Sequence, residues 1–151
     1  MIKLYHHFND IDRVMVVAER MHKESRYSVI PFERSTVEQF LRVSYNGRSR
    51  NLMLISEIDS KICGFFMGVI VPYYFSSRIY AADMAWYMVP EHRGHPDSIK
   101  MLRKFEKWAT ESGVTEIQLG LGTEIMTDQT RELYKKLGYE EKYYLHAKYV
   151  E

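Results

Sequence analysis

Two features of the chain could do chemistry. One is a junction, where the nearly continuous apolar run 79–89 leads into Pro90-Glu91-His92-Arg93-Gly94-His95-Pro96 and then directly into an amphipathic stretch that reaches Ser112. A helix that begins where a strand stops aims its unpaired N–H groups and the positive end of its dipole beyond the strand, so the junction is an anion site suited to a phosphate-bearing ligand. The other feature is Asp83, a carboxylate inside the same apolar run and, by two-residue counting, on the side of Ala85 and Tyr87. A carboxylate in such a run needs a partner or a purpose, either proton transfer or a structural hydrogen bond.

Other reactive side chains read more plainly. Cys63 lies in Lys61-Ile62-Cys63-Gly64-Phe65-Phe66 and reads as core rather than nucleophile. The 6 histidines are scattered, and His6 and His7 face opposite sides of a strand, so no metal-ligand spacing is present. Lys100, Arg103, Lys104 and Lys107 fall on the outer face of the helix that follows the junction and read as solvated.

The elements that must position these groups follow from periodicity. Residues 2–7 read as a short strand, and Asn9 or Asp10 caps a helix with Ile11, Val14, Val17, Ala18 and Met21 on one face. Pro31 makes residues 25–34 a loop; Ser35 or Thr36 then caps a second helix carrying Val37, Phe40, Leu41 and Tyr45, stopped by Asn46-Gly47. Residues 51–58 and 62–71 form an antiparallel hairpin across Asp59-Ser60-Lys61. Run 79–89 is expected to be a central strand covered on both faces, followed by a helix from about Pro96 that ends at Gly113. A strand over 115–121, a helix over 127–137 capped by Thr127, and one or two Tyr-rich strands over 139–150 complete the chain. The order is β-α-α-β-β-β-α-β-α-β(β), an α/β fold whose sheet is mixed, because the 79–121 crossover demands parallel pairing.

Bulk properties narrow the function classes. A chain of 151 residues with 46% hydrophobic composition supports a single domain, 1–151. Its 21 Lys and Arg against 20 Asp and Glu leave a net charge of +1, which gives no electrostatic reason for a nucleic acid or anionic membrane partner. One cysteine excludes an internal disulfide and suits a reducing cytoplasm. Residues 1–7 lack an apolar signal segment and no run reaches the about 18 apolar residues of a membrane helix, so the expectation is an unexported cytoplasmic protein.

This element order, with two local patterns, resembles the GNAT superfamily of acetyl-CoA-dependent N-acetyltransferases. Val89-Pro90-Glu91-His92-Arg93-Gly94 before an amphipathic helix is similar to that family's pyrophosphate loop, V-x-P-x-x-R-G-x-G-x-G/A. Leu133-Tyr134-Lys135-Lys136-Leu137-Gly138-Tyr139 resembles its late L-Y-x-K-x-G-F/Y segment. The resemblance implies acetyl-CoA as cosubstrate, with no metal, and an amine on a small molecule or peptide as acceptor; a homodimer is left open. It implies cofactor contacts from Arg93, Gly94, His95, Asp97 and Ser98, and thioester polarisation by the backbone amides of Met88 and Val89. Tyr134 stands where the family carries the general acid, a phenol that can protonate a departing thiolate. Asp83 is the candidate base, with a structural hydrogen bond as the alternative, and Glu124 is a second candidate. The resemblance also puts the acceptor pocket between the first two helices and the loop before the junction strand, where Tyr27, Phe32, Tyr73, Tyr74 and Phe75 are aromatic.

The chain departs from the pattern in three places. Pro96 and Ser98 replace the later loop glycines, and Pro96 has no N–H to offer. Asp97 puts a carboxylate where a pyrophosphate is expected. The asparagine that family members often carry near residue 124 is absent. Pro96 and Asp97 motivate a second reading, a GNAT-fold CoA-binding or protein-interaction module with weak or no catalysis.

Overall fold

The computed structural model describes residues 1–44 and 50–150, the side chains of residues 7, 8, 43 and 44 excepted. The expected positions of Tyr45 and of the Asn46-Gly47 helix stop lie outside the described residues. The elements are β1 (Ile2–Leu4), α1 (His7–Glu24), a 3-10 turn (Arg26–Val29), α2 (Arg34–Ser44), β2 (Asn51–Ile58), β3 (Lys61–Pro72), β4 (Ile79–Met88), α3 (Pro96–Glu111), β5 (Glu116–Gln118) and α4 (Thr127–Lys136), with a further 3-10 turn at Pro90–His92.

The sheet runs β1-β2-β3-β4-β5, antiparallel except for the parallel β4–β5 pair. The expected mixed α/β sheet is therefore what forms. Its central strand is β3, buried from Ile62 to Gly68, whereas β4 is half-exposed along much of its length and Met84 is 50% exposed. The junction strand is therefore not the central one: among the described residues only 80–82 pair with a strand on its far side.

Alternation along β3 assigns the two helical layers. Phe66, fully buried, meets Phe105 of α3 at a 4.7 Å ring distance, and Gly68 lets α3 approach: a Cβ there would lie 2.5 Å from the Phe105 ring. Phe65 stands against Tyr87 on the opposite side, and the Tyr87 hydroxyl reaches Glu24 at the end of α1.

Several local expectations shift. α1 begins at His7 with no side-chain cap on its N-terminal residue; the Asp10 carboxylate instead reaches back and accepts the His6 N–H at 3.0 Å. Residues 26–29 are a 3-10 turn capped by the Ser25 hydroxyl rather than plain loop, and α2 already includes Arg34. α4 starts after Met126, which adopts φ +49, so Thr127 is its first residue and not its cap.

Two larger differences concern pairing. β5 pairs for only 3 residues, opposite 80–82, because the Gly120 N–H donates to the Asp83 carboxylate instead of to a ladder carbonyl. β4 also carries a bulge: Gly68 faces Asp83 and Met67 faces Ala85, leaving Met84 as the extra residue. The bulge interrupts the two-residue count, so Asp83 is not placed by its spacing from Ala85 and Tyr87. Residues 139–150 form no strand. Residues 140–150 are exposed, so their tyrosines bury no face, and β propensity without a packed face does not order a strand.

Candidate functional site

Where β5 stops pairing, β4 continues with only β3 beside it, and the gap on its other edge becomes a cavity of about 360 Å³. Residues 83–88 of β4 form one wall, residues 93–95 with Ser98 and Ile99 another, and residues 120–123, 125 and 126 with α4 a third; Tyr27 enters from the 3-10 turn.

A single glycine brings the acid and base candidates together. Asp83 Oδ1 accepts the Gly120 N–H at 2.7 Å, and the Tyr134 hydroxyl donates to the Gly120 carbonyl at 3.2 Å. The Tyr134 ring stacks on Trp86, with centroids 6.2 Å apart and planes 21° apart. Burial pushes the Asp83 carboxyl up to about 6, against the pull of the Gly120 hydrogen bond. Burial, and then the Asp83 charge, push Tyr134 well above the ordinary phenol range. At neutral pH the cavity thus holds an ionised carboxylate of near-neutral basicity beside a firmly protonated phenol.

The chain from Val89 to Ser98 forms the turn expected at an anion site, with Gly94 at φ +84, a conformation that favours glycine. Most of its amides are already used. The Arg93 N–H donates to the Pro90 carbonyl, His95 N–H to His92, Ser98 N–H to His95, and Asp97 N–H to His95 Nδ1. Among the described residues the Gly94 N–H donates to no backbone carbonyl. The two strand amides differ as well. Val89 N–H is taken by the Cys63 carbonyl at 2.9 Å, so by antiparallel alternation the Met88 N–H points the other way, into the gap.

The loop arginine is engaged by α1. Arg93 donates to Glu24, which also accepts from the Tyr87 hydroxyl at 2.5 Å, and Arg93 Nε donates to the Met88 carbonyl at 3.3 Å. Burial works against ionisation of Glu24, yet the Tyr87 and Arg93 hydrogen bonds hold its carboxyl below the usual range.

A family model described as the Acetyltransferase (GNAT) family matches residues 15–139. The chain belongs to the GNAT acetyltransferase family. No curated protein sequence matches it. Solved structures share the GNAT fold at low identity. An aminoglycoside 6'-N-acetyltransferase from Acinetobacter haemolyticus is 15% identical with a TM-score of 0.73, covering 100% of this chain and 99% of that one. A ribosomal-protein-alanine N-acetyltransferase from Brucella melitensis biovar Abortus is 14% identical with a TM-score of 0.73, covering 99% of each chain. An acetyltransferase from Trypanosoma brucei is 13% identical with a TM-score of 0.73, again over 99% of each.

In this GNAT chain the other expected site residues divide. Arg93, Gly94, His95 and Ser98 line the cavity, as do Met88 and Tyr27. Asp97 does not. It is 2% exposed and turns toward β2, where it accepts from the Ser56 hydroxyl and the Met1 ammonium, each at 2.9 Å. Its carboxylate is thus directed toward β2 rather than into the cavity. Val89 packs in the core at 4% exposure.

Of the five aromatic residues expected at the acceptor pocket, Tyr27, Phe32, Tyr73, Tyr74 and Phe75, only Tyr27 lines the cavity. Phe32 packs on His22 with ring centroids 5.2 Å apart, the Tyr73 hydroxyl donates to Glu116 at 2.8 Å, and Tyr74 is 99% exposed. The β3–β4 connection ends beyond the gap, so its aromatic residues are carried past the cavity. Sequence reasoning missed Gly120 and Glu24: contacts to a backbone amide 37 residues away, or to an arginine 69 residues away, leave no local pattern. No helix among the described residues is long and apolar enough to cross a membrane.

Proposed function

We propose that this chain is an N-acetyltransferase that moves an acetyl group from acetyl-CoA to a primary amine by direct attack. The observation that carries the reading is the Asp83–Gly120–Tyr134 arrangement inside the cavity. Acetyl-CoA supplies an activated acyl group on sulfur. The chain's residues do the rest: Asp83 accepts a proton from the attacking amine, the Met88 N–H faces the developing oxyanion, and Tyr134 gives its proton to the departing sulfur. Tyr134 must exchange the Gly120 carbonyl for that sulfur, a hydrogen bond of similar strength. The Gly94 amide and the start of α3 suit a pyrophosphate.

The test has two steps. Acetyl-CoA at 100 times its dissociation constant should stabilise the protein by about 2.7 kcal/mol in thermal unfolding. A panel of amines, polyamines, aminoglycosides, amino acids and peptides is then screened by release of the CoA thiol. No stabilisation at millimolar acetyl-CoA would sink the enzyme reading. It would favour an interaction module, a reading supported by the internal commitment of four loop amides and of Arg93.

A further inference from the structure

Two walls of the cavity meet at one side chain that lies outside it. Arg26 begins the 3-10 turn, and its Nε donates to the Gly122 carbonyl at 2.8 Å while Nη2 donates to the Tyr27 hydroxyl at 3.0 Å. Its backbone N–H donates to the Thr123 carbonyl at 3.1 Å, and its guanidinium stacks over the Tyr27 ring at 4.4 Å. Glu124 Oε1 lies 3.9 Å from Nε, and the Tyr149 hydroxyl donates to the Arg26 carbonyl at 3.2 Å. Tyr27, Gly122 and Thr123 all line the cavity.

The loop being held is a strained one. Glu124 and Met126 sit at φ +58 and +49, which side chains with a Cβ adopt reluctantly, so the surroundings must maintain the shape. Gly122 adds a second condition. A Cβ there would lie 3.5 Å from the Tyr27 hydroxyl, so the loop approaches the tyrosine at contact distance. The planar fork of an arginine meets both a carbonyl and a phenol from one position, which a lysine ammonium on a flexible stem does not.

We propose that Arg26 is a positioning residue: it ties the 3-10 turn to the loop at 120–124, so that the two walls close as one unit and keep bulk water off the acetyl group. Because the Tyr27 oxygen accepts from Arg26, its own proton is left for a group inside the cavity. The proposal rests on the acetyl-CoA reading for its catalytic consequence, and on geometry alone for the coupling of the walls.

Hydrogen exchange by mass spectrometry is measured on the full chain as wild type, Arg26→Gln and Arg26→Lys. Release of the CoA thiol from acetyl-CoA is followed in amine-free buffer; there water adds to the thioester carbonyl, the C–S bond breaks, and acetate, the protonated thiol and one proton, taken up by the buffer, leave. In Arg26→Gln, segments 26–30 and 119–126 should exchange faster together, by about tenfold, while α3 is unchanged and so reports an intact fold. Hydrolytic turnover should rise about threefold with KM within about twofold of wild type. Arg26→Lys, which keeps the charge and loses the fork, should follow Arg26→Gln. Exchange that rises in one segment only, a lysine variant equal to wild type, or hydrolysis unchanged while both segments open, each overturns the proposal. Absence of any acetyl-CoA turnover or stabilisation in wild type overturns the acetyl-CoA reading and the water-exclusion half, and the exchange data still decide whether Arg26 couples the walls.

Discussion

At the scale of single residues, Asp83 and Tyr134 make separable claims. Burial raises the folded-state Asp83 carboxyl to about 6, above the about 3.9 of an unfolded aspartate. The folded state then binds more protons between those values, so this contribution to stability is full below about pH 3.9 and is lost as pH climbs through 6. Asp83→Asn keeps an oxygen to accept the Gly120 N–H and removes the titration. Relative to wild type it should gain on the order of 2 kcal/mol in urea unfolding between pH 4 and 7. The rate makes the opposite demand. If Asp83 is the base, wild-type turnover rises as the carboxylate ionises near pH 6, and the variant is slow with that limb missing. An unaltered limb would leave Asp83 with its structural bond alone.

Tyr134→Phe retains the stack on Trp86 and removes the hydroxyl bonded to Gly120. It should lose about 1 kcal/mol of stability and about 10²- to 10⁴-fold in turnover, with CoA affinity close to wild type. Unchanged turnover with chemistry rate-limiting would remove Tyr134 from the acid role. Both residues were legible in the sequence as types in telling contexts, one carboxylate in an apolar run and one tyrosine in a familiar segment. Their meeting was not, because it passes through the backbone of Gly120 in the loop after β5.

At the scale of elements, periodicity read the long pieces well: β2, β4, α3 and α4 fall within a residue or so of expectation because each has a face to bury. The failures share a cause. β5 is cut short by a side chain that takes its ladder N–H, and residues 139–150 have a Tyr-rich, strand-like composition with no layer to pack against. Both outcomes depend on partners that local pattern does not specify. The packing of α3 can be tested directly at Gly68. A Cβ there would stand 2.5 and 2.6 Å from two Phe105 ring atoms, and that ring is fully buried between Phe66 and Trp108. Gly68→Ala should therefore destabilise by about 1–3 kcal/mol through overpacking, seen as a lower urea midpoint with an unchanged slope. A neutral result would mean that the Phe105 ring yields without penalty.

At the scale of the whole molecule, a net charge of +1 supplies no long-range field for an anionic ligand, so affinity must come from the local balance at the loop. That balance is set from the N-terminal third of the chain. Arg20 of α1 makes a two-oxygen contact with Glu91 at 2.8 Å, and Glu24 holds Arg93 and Tyr87, so the end of α1 is fastened to the loop by two oppositely oriented ion pairs. The Glu24 pair neutralises Arg93, a loop cation that lines the cavity, whereas the Arg20 pair leaves Arg93 untouched. Glu24→Gln keeps an oxygen for the Tyr87 hydroxyl and removes the charge, so Arg93 becomes available to a pyrophosphate. CoA should then bind about three- to tenfold more tightly at low salt by calorimetry, with the gain shrinking toward 1 M salt, where the Debye length falls to about 3 Å. Glu91→Gln, which frees Arg20 at the outer rim, should change affinity by less than about twofold. Equal effects from the two variants would mean that added positive charge, rather than release of Arg93, governs binding, and a weaker Glu24→Gln complex would mean that the ion pair shapes the loop into its binding form.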